Sequence, residues 1–262
     1  MTGGYGPGPF ARTLAWMAVI YLVLPITIVI PVSFTDQRFL SLPRDGLSLR
    51  HYENLITSAP WLSAIGQSAM IAVVSTLLAV IAGTLCAIGC WRIGNRTTEW
   101  LRALMLLPLI IPSIVYAVGL YRYFGALDLL GTFLGVVLAH GVTGIPYVVI
   151  TVSAALSSFD PRLEQAARGM GASLSQTLRW VILPRIAPGI ASGAIFAFIH
   201  SWDELVMVLF IASRSIVTLP RKIWDGINEN ADPTMAVVAV LLIVLTLSLL
   251  LLDGALRKRR DA

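Results

Sequence analysis

Charge is what this 262-residue chain has least of: 13% of its residues are Asp, Glu, Lys or Arg, about half the share of a soluble domain. Too few charges are present to keep an unfolded chain solvated, which excludes intrinsic disorder. Against that scarcity stand 57% hydrophobic residues and a mean hydropathy of +0.82. A water-soluble fold of this length still exposes roughly a quarter of the surface of its unfolded chain and could not hide so much apolar area. The lipid bilayer is the solvent that remains. Cysteine is nearly absent too. Cys86 and Cys90 are the only two, both inside an apolar run, which excludes a disulfide framework and a four-ligand zinc site and leaves them as small helix-packing residues. No stretch reads G-x-x-x-x-G-K-[ST] or G-x-S-x-G, so neither a phosphate-cradling loop nor a hydrolase elbow is on offer.

What is present is a set of six apolar runs, 14–34, 65–90, 103–124, 133–156, 190–212 and 234–256. Each matches the roughly 20 helical residues that a bilayer core about 30 Å thick requires. The runs are continuous and lack period-two alternation, so helices are expected rather than barrel strands. Prolines 25, 31, 108, 112 and 146 fall within them; in a membrane bundle, neighbours can satisfy the carbonyls they free. The expected fold is all-α and polytopic: a tail at 1–13, a six-helix transmembrane domain at 14–256 and a basic tail at 257–262. The first run follows Arg12 but exceeds the 7–15 residues of a signal-peptide core and lacks a cleavage site, so it reads as a retained anchor.

Six crossings put both termini on one side, and the basic residues choose it. Arg12, the 91–102 loop, the 157–189 loop and the C-terminus hold twelve Lys and Arg, whereas the opposite loops hold seven. The first set is therefore expected to be cytoplasmic. The same map turns the net charge of +5 into a statement about orientation and lipid contact rather than nucleic-acid binding. Of the two longer external stretches, 35–64 and 213–233, the first carries Leu55, Ile56 and Trp61 at a spacing that suits an interfacial surface helix.

The 157–189 loop is long enough to expect function. Asp160 can cap a helix opened by Pro161. Gly169 and Gly171 can end that helix, Gly171 with a left-handed cap. Ser173 and Gln176 form a capping-box pattern for a second short helix, which Val181, Ile182 and Leu183 close before Pro184. Two short helices bent at a glycine follow. Their small residues suit either a docking knob or an ordinary amphipathic surface helix.

Gln165-Ala166-Ala167, Gly171 after three further residues, and Val181-Ile182-Leu183-Pro184 after nine more closely resemble the EAA loop of ABC importer permeases. Gln165 stands where that pattern has Glu, with Glu164 one position earlier, and Val181 replaces Ile. One residue turns a helical side chain by about 100°, so Glu164 and Gln165 compete for the docking face. The resemblance implies the type I permease fold and an ATPase-coupling role for Glu164, Gln165, Ala166, Ala167, Gly171, Leu183 and Pro184. It also implies a separate ABC ATPase subunit dimer that binds ATP and magnesium, so this chain is expected to bind no cofactor and to be no enzyme. A second permease subunit, an extracytoplasmic solute-binding protein and residence in the bacterial inner membrane complete what it implies.

The fifth run carries His200, Asp203 and Glu204 at i, i+3 and i+4, one face of a helix. Ionised side chains at membrane depth usually line a cavity or mark a pathway. The pair of acids can attract a cation, with Trp202 adding cation–π contact; it can latch an Arg of a partner subunit; or it can lie hydrated near the outer interface. A metal site is disfavoured, since one helix offers one His and two acids. Ser201-Trp202-Asp203-Glu204, Thr218-Leu219-Pro220, Trp224-Asp225-Gly226-Ile227 and Pro233-Thr234 look like the C-terminal half of spermidine/putrescine-type importer permeases, the second of their two permease subunits. Together the likenesses cover roughly residues 60–256 and imply a polyamine or related small solute. His140, Tyr147, Tyr116, Tyr121 and Tyr123 are either pore-lining or packing residues, and Arg122 is expected to snorkel to headgroups. A secondary transporter or channel driven by an ion gradient is the alternative, although no inverted repeat supports it.

Overall fold

The computed structural model of the chain describes residues 8–212, 215–229 and 232–261, the last six as backbone alone. Most of the N-terminal tail, Arg214, and the side chains of the basic C-terminus lie outside what is described. Every regular element within it is a helix. α1 spans Pro9–Ser33, α2 Arg50–Thr57, α3 Ala59–Ile93, α4 Arg96–Ile110, α5 Ser113–Ala126 and α6 Phe133–Ser157. α7 covers Pro161–Gly169, α8 Leu174–Thr177, α9 Leu183–Asp203, α10 Val206–Ile211, α11 Leu219–Glu229 and α12 Thr234–Asp261. Among the described residues five continuous helical stretches are long and apolar enough to cross a membrane, or six if a bent pair forms one span.

That bent pair corrects the third expected run. Residues 103–124 do not form one helix, because α4 and α5 meet at an angle of 106°. Pro112 favours the break: its ring disfavours the helical conformation at the residue before it, and Ile111 is extended at φ −76°, ψ 129°. The fifth run is corrected at both ends. Helical backbone begins at Leu174, well before residue 190, and breaks after Asp203. The second loop helix therefore does not stop before Pro184. A π turn at Leu178–Ile182 joins α8 to α9, the Leu183 N–H donating to the Leu178 carbonyl five residues back. Pro184, which has no N–H to donate to the preceding turn, is the second residue of α9 and follows directly on that π turn.

The chain divides into two compact units, residues 1–62 with 223–245, and residues 63–222 with 246–262. In the first, α1 is apolar on all sides and nearly all of it is exposed, as suits a helix bathed in lipid or covered by another subunit. Its end is fixed to α2, the Ser33 hydroxyl lying 2.8 Å from that of Tyr52 and Phe34 packing on the Tyr52 ring at 5.1 Å. Leu55 and Trp61 are 2% and 4% exposed while Ile56 is 69% exposed. The expected interfacial trio is thus split, with the leucine and the indole turned inward by an amphipathic α2 and the first turn of α3.

In the second unit α6 is the central helix, buried along most of its length. It accepts α9 through glycines: a Cβ added at Gly193 would meet Thr151 Oγ1 at 2.6 Å and the Val148 Cα at 2.9 Å. Gly83 brings α3 onto Val148 in the same way. One apolar cluster, including Val148, Val152, Leu156, Ile182 and Ile186, lies toward the 157–189 loop. A second, including Phe124, Val136, Met207 and Ile211, packs α10 against α5 and α6.

Candidate functional site

The 157–189 loop folds from its own punctuation. Asp160 Oδ1 accepts the Arg162 N–H at 2.9 Å, and Pro161 opens α7. Gly171 takes φ +89°, a backbone that a side chain would strain. It lets Ala172 N donate to the Ala167 carbonyl at 3.1 Å and so closes the helix end. Ser173 and Gln176 then cap each other's backbone at 2.8 and 3.3 Å.

Glu164 and Gln165 are separated by their surroundings. Glu164 turns toward its own protein, where its Oε1 accepts from the Arg92 guanidinium at 3.0 Å. Phe159 meets Trp91 edge to face at 5.7 Å beside that ion pair. Ala167 is buried, whereas Gln165 and Ala166 face outward. Beyond the bend, Met170, Gly171, Ala172, Gln176, Thr177, Trp180 and Val181 line an open depression of about 430 Å³. Met170 is 84% and Trp180 72% exposed, with the Arg179 guanidinium 5.7 Å from the Trp180 ring. Large apolar side chains standing free around a polar-capped helix start make a surface suited to another protein. Leu183 is half-buried and Pro184 exposed, while Ile182 between them is wholly buried.

At the other end of α9 lies a polar cluster. Ser201 Oγ is 2.8 Å from His140 Nδ1 and 3.0 Å from Ser75 Oγ, so α3, α6 and α9 share one buried network. His200 Nε2 lies 3.0 Å from Thr143 Oγ1, and its ring packs on Tyr147 at 5.1 Å. Glu204 is within electrostatic reach of both His200 and Tyr147. The expected common face of His200, Asp203 and Glu204 is interrupted. Glu204 leaves the helix in an extended conformation, and its Oε1 accepts the Met207 N–H at 3.1 Å, capping the start of α10. Asp203 is exposed. Trp202 is buried with its ring stacked on Phe198 at 5.6 Å, so one face of the indole is already taken. His140 is buried, Tyr116 and Tyr147 are half-buried, and Tyr121, Arg122 and Tyr123 are exposed. Among the described residues no group of three metal-ligating side chains comes together.

One polar contact and one polar pocket are not foreshadowed by the sequence motifs. Asp253, buried on α12, accepts a hydrogen bond from Ser192 of α9; a single acid in an apolar run was the available signal. The 35–64 and 213–233 stretches also contribute to a polar pocket of about 360 Å³ lined by Arg38, Arg50, His51, Asn54, Asp232 and Pro233. His51 Nε2 donates to the Gln37 carbonyl there at 2.9 Å, and Asn54 Nδ2 to Thr234 Oγ1 at 2.8 Å. In the adjoining loop the Arg44 N–H donates to Asp36 Oδ1 at 3.1 Å and holds that carboxyl below its usual range.

Residues 75–262 match the family described as binding-protein-dependent transport system inner membrane component. The spermidine/putrescine transport system permease protein PotC of Haemophilus influenzae is 32% identical over 249 residues, 94% of this chain and 96% of that protein. The putrescine transport system permease protein PotI of Escherichia coli K12 is 27% identical over 242 residues, 90% of this chain and 86% of that protein. A chain in the crystal structure of a bacterial alginate ABC transporter, bound to its alginate-loaded periplasmic protein, superposes with a TM-score of 0.69 at 18% identity, covering 95% of this chain and 92% of that one.

Proposed function

The chain belongs to the family of binding-protein-dependent transport system inner membrane components, and from that premise we propose that it forms half of a polyamine pathway driven by a separate ATPase. The observation that carries this reading is the knob bent at Gly171. Its inner face is fixed by Glu164 to Arg92, and its outer face offers Gln165, Ala166, Met170 and Trp180. ATP hydrolysis can shift the bundle only through contacts that differ between its two states. A knob rigid on one side and free on the other meets that requirement. Force applied at residues 170–177 enters a helical stretch that runs on to Asp203, about 45 Å at 1.5 Å per residue. It thus ends at the cluster of His200, Ser201, Asp203 and Glu204.

The twelve-to-seven distribution of basic residues supports placing the knob and both termini in the cytoplasm of a bacterial inner membrane. The external pocket at Arg38 and Arg50 then faces a solute-binding protein, and a second permease subunit completes the pathway. The exposed Asp203 carboxylate, with Glu204 beside His200, supplies the negative field for a di- or polyamine. The ATP and magnesium belong to the ATPase subunits.

Purification of the intact transporter tests the assembly: an ATPase and a second permease should accompany this chain, and a homo-oligomer that transports alone would instead support an ion-gradient mechanism. The substrate is tested by uptake. Asp203→Asn is expected to weaken putrescine or spermidine uptake at least tenfold while protein level holds. Glu204→Gln, which keeps an acceptor for Met207, should reduce it less. Equal loss of uptake and protein in both variants would assign the acids to structure.

A further inference from the structure

Cys86 and Cys90 stand one turn apart on α3 with their sulfurs 3.9 Å from each other, and each is partly exposed. The Cys90 thiol also donates to the Thr98 carbonyl at 3.4 Å, in the turn where Asn95 and Thr98 cap α4. The next two residues, Trp91 and Arg92, are the ones that hold Phe159 and Glu164 of the knob. The thiol pair is therefore built into the base on which the knob rests. Two sulfurs held tetrahedrally at about 2.3 Å from one centre lie about 3.8 Å apart, a bite that this helix already supplies. A disulfide would require the sulfurs to close to about 2.05 Å.

We propose that Cys86 and Cys90 form a two-sulfur chelate for a soft, thiophilic metal or metalloid, and that its occupation stops transport. Binding removes the Cys90 donor from the Thr98 carbonyl and fixes the α3 turn that carries Trp91 and Arg92. With an arsenoxide, R–As=O, the chemistry is a condensation without electron transfer. Two As–S bonds form, the As=O bond breaks, and its oxygen leaves as water with both thiol protons. The inhibitory half rests on reading α7 as the ATPase handle; the chelate does not.

Phenylarsine oxide applied to the complete transporter tests both halves. Intact mass spectrometry should find one phenylarsine group on this chain, released by 2,3-dimercaptopropanol and absent from Cys86→Ser and from Cys90→Ser. No adduct on the native chain, or an adduct that persists in either single variant, would overturn the chelate. In proteoliposomes the loaded transporter should lose at least nine-tenths of its uptake and regain it with the dithiol, while the Cys86→Ser, Cys90→Ser double variant stays active and insensitive. Full uptake by fully loaded transporter would overturn the inhibition. Failure of the knob to touch any ATPase, measured separately by cross-linking, would identify the handle reading as the part at fault.

Discussion

Gly171 matters through its backbone and not through the space around it. A Cβ at this position would meet nothing within 4 Å, yet φ is +89°. Gly171→Ala is therefore expected to strain the bend by about 1–2 kcal/mol without a clash. Uptake should fall severalfold while membrane insertion and the thermal stability of the transmembrane core stay unchanged; undiminished uptake would separate the bend from coupling. Asp36 gives a prediction with a definite sign. Its carboxyl titrates below the ordinary value of 3.8 because it accepts first from the Arg44 N–H. Its contribution to loop order is in place above that value and is lost as the pH falls through the lowered one. Protease nicking of residues 34–49 should rise below about pH 4, and Asp36→Asn should be nicked at neutral pH as well. The same scale explains why Glu164 and Gln165 could not be told apart in the sequence. Adjacent positions differ by a rotation of about 100°, and the partner that decides between them, Arg92, lies 72 positions away.

Apolar length carries most of the information about the helices, and local caps carry the rest. Asp160, Pro161, Gly171 and the Ser173–Gln176 pair act where the sequence places them, because each acts on its own turn. The break at Pro112 and the π turn before Pro184 were not legible, since a proline in a membrane helix can be absorbed, bent around or used as a start. Those outcomes depend on neighbours that a single run does not reveal. Leu55 and Trp61 were misplaced for the same reason: their spacing suits an interface, and only the packing of α2 turns them inward. Between α6 and α9 the close approach depends on small residues, as membrane interfaces require. Gly193→Leu, whose side chain must displace the Val148 backbone, is expected to destabilise the bundle by about 1–3 kcal/mol. A lower melting temperature in detergent would register it. Gly254→Leu serves as the comparison, since a Cβ there meets nothing within 4 Å, and an equal loss in both variants would argue against a tight α6–α9 seam.

At the scale of the whole molecule, a hydrophobic chain without a nucleotide loop carries one outward-facing knob joined to a long helix that ends among buried polar groups. On the function proposed above, this chain is the moved part of a machine whose motor is a separate ATPase. The most direct measurement places a photo-reactive benzophenone side chain at Gln165 or at Met170 in the assembled, uptake-competent transporter. The account predicts covalent capture of an ATPase subunit from both positions, with yields that change when ATP is supplied. Capture of lipid alone, in a preparation that still transports, would contradict it.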